Sequence, residues 1–201
     1  KEAKKITLAR EAFSIDQLPD LLRKHLGGSS LLYFDPARVR SSGAVKKVIE
    51  ESGVPVEKVE PFLASLRLYK SDWELGEMRR AAEISMKAFR HVEEFLLTRP
   101  KHEYDVAAEI THIYERAGAT HAYPPIVASG KNAVVLHYTQ NTAPLANGLL
   151  LIDSGAEYNY YAADITRMFT IGKLSSEEEA LYGGLARVQG KIVALIETPG
   201  M

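Results

Sequence analysis

The run Leu149-Leu150-Leu151-Ile152-Asp153-Ser154-Gly155-Ala156-Glu157-Tyr158-Asn159-Tyr160-Tyr161-Ala162-Ala163-Asp164-Ile165-Thr166-Arg167-Met168-Phe169-Thr170 decides the fold. It reads as two strands, from Leu149 to Glu157 and from Tyr160 to Ile171. They are joined by a turn at Tyr158-Asn159, where asparagine tolerates the left-handed backbone of a tight hairpin. With a two-residue turn there, Glu157 opposes Tyr160, and Asp153 falls opposite Asp164. Directly opposed side chains share a face, with Cβ atoms about 4.5–5.5 Å apart. Two carboxylates that close repel each other unless a cation or a shared proton lies between them. Ile152, Ile165 and Met168 mark a half-buried sheet, where uncompensated charge is costly. A metal resolves the conflict, and all-oxygen ligation favours Mn²⁺ or a similar hard ion, often in a two-metal site. Aspartates flanking a hairpin are also common without any metal, and a longer turn or a bulge would shift the register. The spacing makes a site available without requiring one.

Upstream of the hairpin the period is helical. Ser71-Asp72-Trp73-Glu74 is a capping box, and Leu75, Met78, Ala82, Met86, Phe89, Val92 and Leu96 form one stripe of a helix to about Leu97. Pro100-Lys101 ends it. A second helix from about Glu103 carries Val106, Ile110, Ile113 and Tyr114, with Gly118 as its C′ residue. Strands follow at Ile126–Ala128 and Val134–Tyr138, and after the hairpin a helix is capped by Ser175/Ser176 with Glu178/Glu179. From Ser71 on, helices followed by strands predict an α+β fold, with helices packed on an antiparallel sheet.

Residues 1–67 read as a small α/β piece. Ile6-Thr7-Leu8 is a short strand. Ser14 and Gln17 box a helix that turns Leu18, Leu21, Leu22 and Leu26 inward. Leu31–Phe34 is a buried strand and Gly43–Glu51 a helix. Val54 to Tyr69, with Pro55 and Pro61, is a connector that becomes extended near Leu66–Tyr69.

Composition excludes several classes. A hydrophobic share of 46% in 201 residues supports a packed core, so a disordered chain is excluded. A net charge of −1 gives no electrostatic footprint for nucleic acid or an acidic membrane surface. With no cysteine, disulfides and thiolate metal sites are ruled out. No apolar run is long enough to span a bilayer, and a cytoplasmic location is the expectation. The chain starts at Lys1 and stops after Pro199-Gly200-Met201, so both ends read as cut.

His137 is the second chemical candidate. It closes the apolar run Ala133–Leu136, at a strand end where a lone histidine is structural more often than it shuttles protons. His25, His91, His102, His112 and His121 read as solvated surface. Tyr123-Pro124-Pro125 is either a rigid lead-in to a strand or one wall of a substrate pocket. Ser129-Gly130-Lys131-Asn132 lacks the frame of a phosphate loop, and Ser154-Gly155 lacks that of a nucleophile elbow.

Four ordered blocks resemble the pita-bread metallopeptidases, the aminopeptidase P/prolidase family. They are Lys70–Ser85, Ile126–Asn141, Leu151–Tyr158 and Ala163–Arg167. The resemblance is strong from about Leu66 to Met201. It implies the first half of a pita-bread catalytic domain over residues 68–201, after the tail of a creatinase/prolidase-like N-terminal domain over residues 1–67. It also implies two divalent ions, manganese first, with cobalt or zinc as alternatives. Asp164 matches a bridging ligand and Asp153 a ligand of one ion. His137 matches a histidine that binds substrate and handles protons, and Tyr123 an aromatic residue lining the substrate pocket. The remaining ligands, one histidine and two glutamates, belong to a second half that the 201 residues do not contain, so this fragment alone should be inactive. Asn147-Gly148 departs from the family's usual glycine and acidic pair. The implied activity of the complete protein is release of the N-terminal residue from Xaa-Pro peptides, with Xaa-Pro dipeptidase or a non-catalytic pita-bread binding module as alternatives. The implied partners are a proline-containing peptide and further copies of the chain, as a dimer or tetramer.

Overall fold

The computed structural model describes residues 11, 13–28, 31–34 and 43–196. The chain divides into two compact units, Lys1–Tyr69 and Lys70–Met201. In the first unit, α1 (Leu18–Leu26) follows a 3₁₀ turn boxed by Ser14 and Gln17, as the sequence predicts. β1 (Leu32–Tyr33) pairs in parallel with β2 (Val56–Glu57), on either side of α2 (Gly43–Ser52). Leu26, Val45, Val48 and Ile49 form the core, with Leu18, Leu22 and Phe34 packed on it. The expected connector is in fact largely α3 (Glu60–Leu68). Pro61 occupies the first turn, where its missing N–H has no intrahelical partner to lose and its fixed φ suits the helix. Ile6-Thr7-Leu8 lies outside the described residues.

The second unit begins with α4 (Asp72–Leu96), boxed by Ser71 and Glu74. α5 (Glu103–Arg116) follows, with Gly118 in the left-handed conformation just beyond its end. The strands are β3 (Thr120–His121), β4 (Ile126–Ser129), β5 (Gly148–Ser154), β6 (Ala156–Tyr158), β7 (Tyr161–Ala162) and β8 (Ile165–Ile171), before α6 (Ser176–Ile196). They form two antiparallel sheets in the orders β4-β5-β8 and β3-β6-β7. Burial alternates along β5, so Leu150, Ile152 and Ser154 face one way and Leu149, Leu151 and Asp153 the other. The first face packs on the helices: Ile84, Phe89 and Val92 of α4 and Val106, Ile110 and Tyr114 of α5 meet Leu150, Ile152 and Val127. That packing leaves Asp153 on the open face. None of the described helices is long and apolar enough to cross a membrane.

The hairpin register differs from the expected one. Its turn is Asn159-Tyr160, both residues left-handed with φ of 48° and 67°, and Tyr158 pairs with Tyr161. A two-residue loop with both φ values positive is the type I′ geometry that matches strand twist. Moving the loop by one residue moves every cross-strand partner by two. Asp153 therefore lies opposite Thr166, and Asp164 is a diagonal neighbour on the same face.

The expected strand Val134–Tyr138 does not form. Gly130–Val134 is a 3₁₀ turn, and His137 lies in a following turn at φ 55°. Val134 and Leu136 are 85% and 90% exposed, so the apolar run was a poor guide here. Polar anchors on Asn132 and Tyr138 hold this segment instead.

Candidate metal centre

Asp153 is the penultimate residue of β5, and Asp164 stands immediately before β8. Tyr123 lies between β3 and β4, and Pro124-Pro125 restrict the backbone that leads from it into β4. The Tyr123 hydroxyl joins the two carboxylates, donating to Asp153 Oδ1 at 2.5 Å and to Asp164 Oδ1 at 2.9 Å. A phenol has one proton, so it serves only one carboxylate fully at a time. No other donor among the described residues reaches either group. Burial, and then the bonds to Asp153 and Asp164, push the phenol far above its ordinary range and keep it protonated.

Two converging carboxylates with one shared proton are an under-neutralised pair of hard oxygen donors, which is the chemistry a divalent cation requires. The pair fits a metal and is incomplete by itself: no cluster of three His, Asp or Glu residues occurs among the described residues.

The backbone around the pair is fixed from behind. Ser85 Oγ donates to Ala81 O at 2.9 Å and accepts from Ala156 N at 2.8 Å. Tyr114 and Ser154, both fully buried, share a hydrogen bond of 3.1 Å. Between these anchors Gly155 marks the change of sheet. A Cβ there would lie 1.7 Å from Ala163 O and 3.1 Å from Asp164 N. Only glycine lets the strand before Asp164 approach this closely. The signal was available as a glycine inside a strand pattern, which marks close backbone approach.

His137 is exposed and makes no hydrogen bond with Tyr123, Asp153 or Asp164. Its neighbour Tyr138 is buried against Ile126, Ala128 and Leu151. Ile126 is the cross-strand partner of Asp153, so the turn carrying His137 packs over the face that carries the carboxylates. Asn141 secures the end of this segment. Its side chain accepts from Val127 N and donates to Pro125 O, each at 2.8 Å, closing the free edge of β4.

Among the remaining histidines, His25 and His112 are exposed and His91 and His102 partly so. His121 departs from the expectation of solvated surface. It is half-buried against Tyr114 and bonded through Nε2 to Thr111 Oγ1 at 2.8 Å. Thr111 spends its own proton on Ala107 O, so the imidazole is the donor. Burial holds the His121 pKa below the ordinary value.

Residues 76–201 match the family profile described as metallopeptidase family M24. The chain belongs to that family. This M24 chain is 36% identical over 197 residues to the Xaa-Pro aminopeptidase of Haemophilus influenzae, covering 94% of this chain and 44% of that protein. It superposes on proline aminopeptidase P II from Yersinia pestis with a TM-score of 0.77 at 32% identity, covering 90% of this chain and 44% of that one. It also superposes on a variant of Escherichia coli aminopeptidase P in complex with substrate, with a TM-score of 0.72 at 31% identity, covering 87% and 42%. The M24 chain spans less than half the length of these relatives, and its helices and antiparallel sheets are part of their pita-bread fold.

Proposed function

We propose that this chain forms the first half of the catalytic domain of an Xaa-Pro aminopeptidase, preceded by part of an N-terminal domain. The observation that carries this reading is the convergence of Asp153 and Asp164 on a single phenol proton. The names of the M24 relatives support it. Asp153 and Asp164 would hold two divalent ions, manganese by preference, together with ligands from the rest of the complete protein. Bound divalent metal supplies Lewis acidity and a low-pKa water.

The chain's own residues have separate tasks in this reading. Tyr123 keeps a proton between the carboxylates and fixes their orientation. His137 presents an exposed imidazole over the same face, where it can bind substrate and move a proton near neutral pH. An Xaa-Pro bond has no N–H on its proline nitrogen, so recognition must rest on the flanking carbonyl, the free amine and the ring.

The test is an assay of the complete protein with added Mn²⁺ on a tripeptide whose second residue is proline. The expected result is release of the free N-terminal residue, with activity lowered more than about a hundredfold in Asp164→Ala, beyond the range seen for outer-shell changes. Cleavage of Xaa-Pro dipeptides alone would replace the aminopeptidase reading with a dipeptidase. Absence of turnover on both substrates would overturn it.

A further inference from the structure

Glu103 is the first residue of α5, fully buried, and its carboxylate lies where four segments meet. Oε1 accepts from Ser129 N at 2.9 Å and from Asn132 Nδ2 at 3.0 Å. Oε2 accepts from the Tyr138 hydroxyl at 2.7 Å and from Ala143 N at 3.0 Å. Asn132 Nδ2 also donates to the Tyr138 hydroxyl at 3.0 Å, so Asn132, Tyr138 and Glu103 form a closed triangle. No lysine or arginine among the described residues pairs with the carboxylate. Its charge is met by four dipoles and by the N-terminus of its own helix.

A buried anion held this way is fixed in position, because moving any one donor leaves charge uncompensated in a dry site. The segment it fixes is the one that carries His137. The 3₁₀ turn enters through Asn132, the chain leaves through Ala143, and Tyr138 is tied at its hydroxyl. His137 sits between these anchors in a left-handed turn, with no hydrogen bond of its own among the described residues.

We infer that Glu103 is a positioning residue for His137: its buried carboxylate, acting through Tyr138 and Asn132, sets where the imidazole stands over the Asp153–Asp164 face. The inference rests on the reading of His137 as a group that acts on substrate. Glu103→Gln preserves shape but turns an amide N–H₂ towards two donors, so the network loses half of its acceptor capacity. Tyr138→Phe removes only the hydroxyl link.

The experiment is a pair of double-mutant cycles in the complete protein, assayed with Mn²⁺ on a proline-containing tripeptide. Glu103→Gln and Tyr138→Phe are each made alone and with His137→Ala. The expected result is a tenfold or greater loss of kcat in each single variant, with KM changed less, and a loss under threefold when His137 is already absent. Equal factors in both backgrounds would show a role independent of the imidazole and overturn the inference, leaving the assignment of His137 intact. Unaltered turnover in His137→Ala would overturn that assignment and this inference with it. Should Glu103→Gln fail to fold, the Tyr138→Phe cycle decides alone by the same criterion.

Discussion

Glu103 accepts four hydrogen bonds in a site closed to solvent, whereas Asp153 and Asp164 share one phenol proton on the open face of the same unit. The difference lies in the supply of donors. A carboxylate whose lone pairs are filled by fixed dipoles has little to gain from a cation, so it serves to hold chain segments together. A pair of carboxylates with one proton between them has unmet charge on both partners, and a divalent ion relieves it. Burial without donors would instead neutralise the group, so burial alone does not separate a structural carboxylate from a ligand. The donor count does.

The sharpest way to break this comparison is to measure metal rather than activity. Removing one charge from the open pair, by Asp153→Asn in the complete protein, should lower bound manganese by more than about a hundredfold in affinity, since outer-shell changes alone cost 10–100-fold. Glu103→Gln should leave the manganese content within about twofold, because none of its partners is a proposed ligand. Elemental analysis after dialysis, followed by titration, reads both. Equal losses in the two variants would erase the distinction between the sites.

A second expected effect is on the backbone that brings the pair together. Gly155→Ala places a methyl group inside Ala163 O, and backbone on both sides must move. The expected destabilisation is about 1–3 kcal/mol, as for other overpacked sites, and manganese affinity should fall with it. Thermal melting with and without Mn²⁺ checks both parts. An unchanged midpoint would mean that the close approach at Gly155 is not needed.

The smallest effect expected is a change in alkaline stability. The Tyr123 phenol is raised in the folded protein, by burial first and then by Asp153 and Asp164. In the unfolded chain tyrosine ionises near its reference value of about 10. Below that pH both states hold the proton; above it only the folded state does, so the contribution is lost as pH rises. Metal-free protein should therefore lose thermal stability as pH rises above about 10 more steeply than its Tyr123→Phe variant. Parallel slopes would remove Tyr123 as the proton holder of the pair.

Local signals carried most of the secondary structure. Ser71 with Glu74, and Ser14 with Gln17, form the capping boxes that their spacing predicts, because a cap is decided within one helical turn. The stripe of α4 is legible for the same reason, and its Phe89 and Val92 are buried. α6 shows where this reasoning stops. It has an equally apolar series, yet Leu181, Leu185 and Ile196 are 65–74% exposed, since a stripe specifies a face and not what covers it.

The sequence by itself determined every described helix but α3, the α+β class and the candidate status of Asp153 and Asp164, all from patterns local in the chain. Tertiary structure decided the rest. The turn moved to Asn159-Tyr160, and with it the partner of Asp153, because strand register also depends on the close contact at Gly155 and the bond that Ala156 N donates to Ser85 Oγ. His137 left its expected strand because Asn132 and Tyr138, on either side of it, are tied to Glu103. Glu103 itself looked like an ordinary first residue of a helix. Its donors lie 26 to 40 residues away in the chain, and a buried charge is recognisable only once the fold has brought such donors to it.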